Sequence, residues 1–353
     1  MEYKYLKDID FAGNIKGKVF AIFLARDVQI RKQKDGVTDF IVVNMCDRGT
    51  IIEARKFGAS PQEVEMIHNG GVYRATINVE EYAKSPTGYS CILYNFEPYD
   101  ENPSSFIEWT DKMDEARTAI QSALDSLKGS VYYNLVANLL VSNWEKFSKW
   151  TAASSFHHYA LGGLMVHTAE VLKQSEILAD YWNARYYPNF INKNLVVSAA
   201  LIHDIAKVKE LKVDELSGNT EYATLASLET HITIGLQMID STAVQVGLGV
   251  MTEGKSEEQL NIEKEALTLL RHCVISHHGK KEFGSPVEPS CPEAYILTTA
   301  DQISAEMFRY NKNFEAMEAG TSQTVWLGGK MVSTYKDLTK TKIEGQPSGT
   351  NNI

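Results

Sequence analysis

Cysteine is scarce and scattered in this chain of 353 residues: Cys46, Cys91, Cys273 and Cys291 stand far apart, with no CxxC pair among them. That spacing excludes a disulfide framework and leaves reduced thiols in a cytoplasmic protein. No apolar run approaches the roughly 18 residues of a membrane span, and no charged segment followed by an apolar one opens the chain. A soluble protein inside the cell is expected. Positive charge is also short, since 35 Lys and Arg face 45 Asp and Glu for a net of −10. Such a balance argues against coating duplex nucleic acid by charge alone. Internal repeats are missing as well.

What is present suits an ordinary folded protein. Hydrophobic residues make up 44% and charged ones 23%, enough for a proper core, and the length fits two domains. The acidity is uneven. Residues 1–100 hold 13 Lys/Arg against 14 Asp/Glu, while the remainder holds 22 against 31. The first part is thus free to present a basic face.

That first part reads as strands. Lys18 to Arg26 (KVFAIFLAR) is apolar without Gly or Pro, and Thr38 to Met45 (TDFIVVNM) follows a Lys34-Asp35-Gly36 turn. Asp47-Arg48-Gly49 connects tightly into Thr50 to Phe57 (TIIEARKF), a hairpin signal. Ser60-Pro61 with Glu63 opens a short helix closing near Asn69-Gly70-Gly71. Gly71 to Asn78 and Tyr89 to Phe96 complete five strands. Three strands, a helix and two strands is the order of an OB barrel, whose outer face and first loop often hold single-stranded nucleic acid. Candidate contacts are Arg26, Arg31, Lys32 and Lys34 in the loop after the first strand, and Arg55 and Lys56 on the third. Phe20, Phe23, Phe40, Tyr73 and Tyr94 offer rings for stacking. About half of these belong in the core, because strand side chains alternate faces. The bland alternative is a barrel used only for packing or dimerisation.

The pattern changes near Pro98 to Pro103, dividing the chain into an all-β barrel domain over 1–100, an all-α domain over 101–318 and a C-terminal segment over 319–353. Ser105 with Glu108 makes a capping box, after which Phe106, Trp109, Met113, Ala116, Ile120, Ala123 and Leu127 recur at spacings of three and four. This predicts a long amphipathic helix ending near Gly129. Further helices are predicted over 131–150, 164–182, 193–210, 225–246, 257–276 and 292–314. Val325-Trp326-Leu327, Gly328-Gly329 and Met331-Val332 suggest a hairpin. The polar tail from Lys336 onward reads as loose.

The chemistry concentrates in LVVSAALIHDIAK, residues 195–207, an almost uniformly apolar helix ending in adjacent His203 and Asp204. A buried carboxylate without a partner is costly, and metal coordination is the commonest resolution. His167, His231, His277 and Asp301, in other helical stretches, offer further ligands. Imidazole and carboxylate without thiolate suit a catalytic Mn, Fe, Co, Ni or Zn site rather than a structural zinc. One ion needs about four protein ligands, so these six candidates suffice for two ions sharing a carboxylate. On a helix His203 and Asp204 point about 100° apart, and Lys207 lies on the same face, where its cation would meet a phosphate oxygen or pair with Asp204. Each residue alone has a plainer reading. His231 would more often be a core or surface histidine, His277-His278-Gly279 a helix C-terminus, and Asp301 a capping or salt-bridged residue. His68 and His272 read as structural. His157 and His158 precede the first candidate ligand and are candidates for touching substrate.

The order His, His-Asp, His, His-His, Asp resembles the HD superfamily of metal-dependent phosphohydrolases. The strings SFHHYALGGLMVHT, LIHDIAK, LETHITIG, ISHHGKKEFGSP and PEAYILTTADQISAEM are similar, more closely, to those of the YhaM-type 3′–5′ exoribonucleases. That family joins an N-terminal OB domain to a C-terminal HD domain. The resemblance covers roughly residues 15–315, densely in the helical half. It implies that His167, His203, Asp204 and Asp301 hold a first metal, and that His231 and His277 hold a second with Asp204 bridging. His278 and Lys207 would face the scissile phosphate. One departure stands out: where the family reads DNLDA, Asp301 is followed by Gln302, Ile303 and Ser304, so the second acidic residue is absent.

The function expected from this is metal-dependent 3′–5′ exonucleolytic hydrolysis of single-stranded RNA, with DNA as a second candidate, to nucleoside 5′-monophosphates. Two divalent ions are expected, Mn²⁺ foremost. The partner would be single-stranded nucleic acid rather than a membrane, and a homo-oligomer is compatible with it. Two alternatives stay open. One is an HD phosphodiesterase acting on a small substrate such as a cyclic nucleotide or dinucleotide, which would need no strand platform. The other is a non-catalytic single-strand-binding module.

Overall fold

The computed structural model describes residues 3–9, 17–48, 50–81, 89–107, 109–153, 158–215, 219–224, 226, 228–315, 317–327 and 330–337. A short strand β1 (Lys4–Tyr5) runs parallel to β2 (Gly17–Lys32). β2 pairs antiparallel with β3 (Asp39–Asp47), and β3 with β4 (Thr50–Phe57). β4 then meets β6 (Tyr89–Pro98) in parallel. β6 returns antiparallel to β5 (Val72–Glu81), which closes the circuit on β2. This closed barrel of five strands, with α1 (Pro61–Met66) between β4 and β5, is compatible with the OB fold. Ser60 and Glu63 form the expected capping box on α1, each side chain bonding the other's backbone N–H at 3.2 and 2.8 Å.

Strand alternation decides which barrel residues face outward. In β4, Ile52 and Ala54 are buried while Glu53 and Arg55 are exposed. Two expectations are corrected here. β2 continues past Arg26 to Lys32 through a register shift between Arg26 and Gln29, where Asp27 takes a φ of 49°. Arg26, Arg31 and Lys32 therefore lie on the strand, and Lys34 alone of the four is in the loop after it. Tyr73, proposed to stack on bases, is 1% exposed and belongs with Phe23 to the barrel core. Its hydroxyl accepts from the His68 backbone N–H at 3.0 Å and donates to the Met66 carbonyl at 2.8 Å, fixing the turn after α1. Tyr94 is exposed, with the Lys18 ammonium 5.4 Å from its ring centroid. Phe40 stacks on the exposed Phe57. Several of the basic candidates carry acidic partners: Lys32 with Asp39, Arg55 with Glu53, and Lys56 with Glu63.

The helix expected from Ser105 starts instead at Met113. Residues Pro103–Phe106 make one 3-10 turn capped by Asn102, and α2 spans Met113–Ser126. Phe106 and Ile107 pack with Ile22, Leu24, Cys46 and Val72 on the barrel and with Leu161 of the helical part. The 3/4 spacing thus joined residues that bury against different bodies. Backbone bonds from Arg48 to Phe106 (2.9 Å) and from Thr110 to Leu161 (3.0 Å) fasten this connector at both ends.

Helices α3 (Tyr133–Phe147), α4 (Gly163–Arg185), α5 (Lys193–Ile202), α7 (His231–Gln245), α8 (Glu257–Ser276) and α9 (Pro292–Glu315) share one core with α2. α5 runs through its middle, with every residue from Leu195 to Ile202 buried. The continuous helix expected over 193–210 is broken. Ile205 bonds back to Ile202 at 3.1 Å and Lys207 to Asp204 at 3.0 Å, so turns of three replace turns of four before the short α6 (Lys207–Glu210). A hairpin not foreseen from sequence, β7 (Leu211–Asp214) with β8 (Asn219–Tyr222), follows and delays α7 to His231. Near the C-terminus β9 (Ser322–Leu327) and β10 (Lys330–Tyr335) pair as expected; their Gly328-Gly329 turn, Glu108 and the tail from 338 lie outside the described residues. Among the described residues no helix is long and apolar enough to cross a membrane.

Replacing Tyr73 by Phe strips a buried N–H and a carbonyl of their shared partner. A loss of about 1–3 kcal/mol is expected, read as a lower urea midpoint with unchanged affinity for single strands. An unaltered midpoint would contradict the core assignment, and lost affinity at full stability would restore Tyr73 to the binding face.

Candidate active site

Five helical elements deliver the candidate ligands to one point. His167 comes from the first turns of α4, His203 and Asp204 from the turn after α5, His231 from the first residue of α7, His277 from the end of α8, and Asp301 from the middle of α9. α4 begins tightly against the segment before it: a Cβ on Gly163 would stand 2.0 Å from the His158 carbonyl oxygen, so only glycine fits. α8 ends on the His277-His278-Gly279 run, with Gly279 at a φ of 82°. The plain reading of that run as a helix terminus and the ligand reading are both satisfied.

Asp204 sits between two pairs of imidazoles. Its Oδ2 lies 3.6 Å from His167 Nε2 and 3.7 Å from His203 Nε2. Its Oδ1 lies 3.4 Å from His231 Nε2 and 3.6 Å from His277 Nε2. Asp301 Oδ1 joins the first pair, 3.1 Å from His167 Nε2 and 3.9 Å from His203 Nε2. Donors bonded at about 2.1 Å to one ion stand about 3.0–3.4 Å apart at ordinary coordination angles, close to these separations. His278 adds a nitrogen within 4.8 Å of those of His231 and His277. The residue read as facing phosphate therefore also completes a second group of ligands.

The second nitrogen of each ring is already engaged. Nδ1 of His203 meets the Ala200 carbonyl at 2.9 Å, that of His277 the Val274 carbonyl at 2.7 Å, and that of His278 the Phe283 carbonyl at 2.9 Å. A carbonyl only accepts, so Nδ1 carries the hydrogen in each and Nε2 keeps its lone pair. His231 Nδ1 donates to the Glu210 carboxylate at 3.0 Å, which also accepts the His231 backbone N–H at 2.9 Å. Asp204 Oδ1, His231 Nε2 and His277 Nε2 are buried without a hydrogen-bond partner. Orphaned acceptors of this kind are what a cation would satisfy, so the residues fit divalent metal.

The missing acidic residue after Asp301 has a substitute. Ser304 accepts from His167 Nδ1 at 3.0 Å and donates to Glu170 Oε2 at 2.7 Å, so a carboxylate still stands behind this histidine, one hydroxyl removed. Glu170 also lies 3.3 Å from His158 Nε2. His158 is 4% exposed, packs tilted against Phe308 and lines a cavity, so as a candidate for touching substrate it would do so from there; His157 lies outside the described residues.

Electrostatics keep most of this set in the ligand form; His277 is the exception, since burial lowers it but Asp204 and Asp301 outweigh that and raise it. Burial works to raise the Asp204 carboxyl but is outweighed by the Lys207 ammonium and by His203, His277 and His231, which hold it well below the usual range. Asp301 is held down in the same way, mainly by His167. Burial pushes His203 down to about 4, and burial with the neighbouring His277 and His231 takes His278 down to about 3. Both rings are neutral near pH 7, as metal binding requires. Lys207 is raised: burial opposes its charge, but Asp204 and Glu210 overcome that. Its ammonium lies 4.0 Å from Glu210 Oε2.

Comparison with known proteins agrees with this geometry. The model of the HD domain matches residues 164–306, an interval that contains every ligand from His167 to Asp301. The chain carries an HD domain. Its relatives extend through the barrel as well. The 3'-5' exoribonuclease YhaM of Bacillus velezensis is 27% identical over 290 residues, 80% of this chain and 83% of that protein. That of Bacillus pumilus is 28% identical over the same shares, and that of Bacillus subtilis 27% over 289 residues. Among solved structures, an asparaginyl-tRNA synthetase of Entamoeba histolytica covers 42% of this chain and 37% of its own at 16% identity and a TM-score of 0.22, too slight a likeness to argue from.

Glu210 and Glu170 escaped the reading of the sequence. Each is an acidic residue at helical spacing from a motif residue, three after Lys207 and three after His167, and was legible only as a solvated charge. In this HD domain Ser304→Ala leaves His167 Nδ1 without its acceptor chain. A fall of about 10-fold or more in Mn²⁺ affinity at one of the sites is expected by calorimetric titration, with Ser304→Thr close to the parent. Unchanged affinity would contradict the role given to Ser304.

Proposed function

We propose that the protein is a metal-dependent 3′–5′ exoribonuclease that hydrolyses single-stranded RNA to nucleoside 5′-monophosphates. The observation that carries this reading is the Asp204 carboxylate, each oxygen turned to a different pair of imidazoles beside a buried lysine. The class is hydrolase: the HD domain keeps its ligands, and the relatives over four-fifths of the chain are named 3'-5' exoribonuclease. The barrel supports a strand as substrate, because a small phosphodiester has no use for a platform of that size.

His167, His203 and Asp301 hold one divalent ion and His231, His277 and His278 a second, with Asp204 shared; Mn²⁺ is the first choice. Bound there, such ions acidify water and draw charge from a phosphodiester. The protein's own groups do the rest. Lys207, kept cationic by Asp204 and Glu210, meets the non-bridging oxygens as negative charge grows on the phosphate. Glu210, Glu170 through Ser304, and the three backbone carbonyls hold the rings so that no ligand turns away. Water oxygen bonds to phosphorus, the bond to the 3′ oxygen of the preceding ribose breaks, and that oxygen takes a proton. Lys18 beside Tyr94, and Arg31 and Lys34 on the barrel, hold the strand upstream through phosphates and a stacked base. Free thiols at all four cysteines suit work in the cytoplasm.

Incubating 5′-labelled single-stranded RNA and DNA with the Mn²⁺-loaded protein tests the reading. A ladder shortening from the 3′ end is expected on RNA, absent with chelator and slowed about 100-fold or more in Asp204→Ala. Strands left intact would overturn it and turn attention to small phosphodiesters.

A further inference from the structure

A cavity of about 530 Å³ opens beside the second ligand group, lined by His231, His278, Lys207, Arg309, Tyr222 and Phe283. Its size is within the range of small-ligand pockets. The metal-site histidines and Lys207 occupy one side. Besides Arg309, the lining holds two exposed rings, unusual beside so many charged groups: Tyr222 is 55% exposed and Phe283 47%. The backbone beside each ring is tied to the site. The Phe283 carbonyl accepts the His278 Nδ1 hydrogen at 2.9 Å. Tyr222 ends the β7–β8 hairpin, and the next N–H, on Ala223, bonds at 2.8 Å to the backbone carbonyl of Glu210, whose carboxylate holds His231. The backbone positions that carry the rings are thereby set relative to His278 and His231, and the Lys280 ammonium lies 5.9 Å from the Phe283 ring centroid.

A second cavity, about 470 Å³, shares no lining residue with the first and lies by His158 and Glu170. Its wall includes Trp109 and Lys112 of the connector between barrel and helical domain. On the exonuclease reading the upstream strand takes that side, and the nucleotide beyond the scissile phosphate takes the cavity with Tyr222 and Phe283.

We infer that Tyr222 and Phe283 form the stacking site for the base of the 3′-terminal nucleotide, the one released at each turnover. This rests on the exonuclease reading. Stacking on exposed rings accepts any base, because every base has a π face. The site therefore checks that a nucleotide is present without reading which one, and it sets the terminal phosphodiester against Lys207.

The test compares kcat/KM for the full-length Mn²⁺ enzyme and for Tyr222→Ala and Phe283→Ala on three oligoribonucleotides: unmodified, abasic at the 3′-terminal residue, and abasic at the penultimate residue. Both rings are exposed, so the variants keep the fold. On the unmodified strand each variant should lose about 10-fold, mostly through KM. The parent should lose as much on the terminally abasic strand, and there the variants should match it. Tyr222→Phe and Phe283→Tyr should recover the parent's rate. Equal losses in the variants on all three strands, or a loss that vanishes only with the penultimate abasic residue, would overturn the assignment. A parent enzyme that leaves the unmodified strand intact would overturn the exonuclease reading and this inference with it.

Discussion

One buried carboxylate sets the terms for the helical domain. Asp204 lies just past α5, whose residues from Leu195 to Ile202 are all buried, and four imidazole nitrogens stand within 3.7 Å of its two oxygens. Without compensation such a group would cost on the order of several kcal/mol. Lys207, one turn on, keeps it ionised, and the inward lone pairs of the histidines leave it facing acceptors rather than donors. Such an arrangement favours a cation at its centre.

Around that centre the chain spends backbone and carboxylate groups on orientation. Three of the rings are tied by carbonyls of their own or the next turn, one by the Glu210 carboxylate and one by the Ser304 hydroxyl with Glu170 behind it. The carbonyl tethers come free with the helix ends, where carbonyls lack partners. The other two tethers depend on residues from other turns or elements: the Ser304 hydroxyl both accepts from His167 and donates to Glu170, so a neutral residue passes on the influence of a charged one.

The residues that gather around Asp204 were legible because a His-Asp pair in an apolar run conflicts with burial, and conflicts of that kind mark candidate sites. The barrel's strand order was legible from turn chemistry and alternation. The misreadings came from packing at a distance. Phe106 has helical spacing to Met113 yet is buried by the barrel, so periodicity ran across a domain boundary. Tyr73 looked available because strand parity does not say which face is inside until the barrel closes. The β7–β8 hairpin is short and polar, and its role shows only once Ala223 is seen to bond Glu210. Glu170 and Glu210 carry no signal of their own; their meaning lies in the histidines they meet in space.

The connector is fastened to the barrel at Arg48 and to the helical domain at Leu161, and the proposed function turns on Asp204 being shared between two ions. That shared carboxylate is the central claim. Electron paramagnetic resonance during titration with Mn²⁺ tests it most directly. The account predicts that the signal of isolated Mn²⁺ gives way to that of an exchange-coupled pair as a second equivalent binds, and that Asp204→Asn loses the coupling. Saturation at one equivalent, or two ions that remain uncoupled in the parent protein, would contradict it.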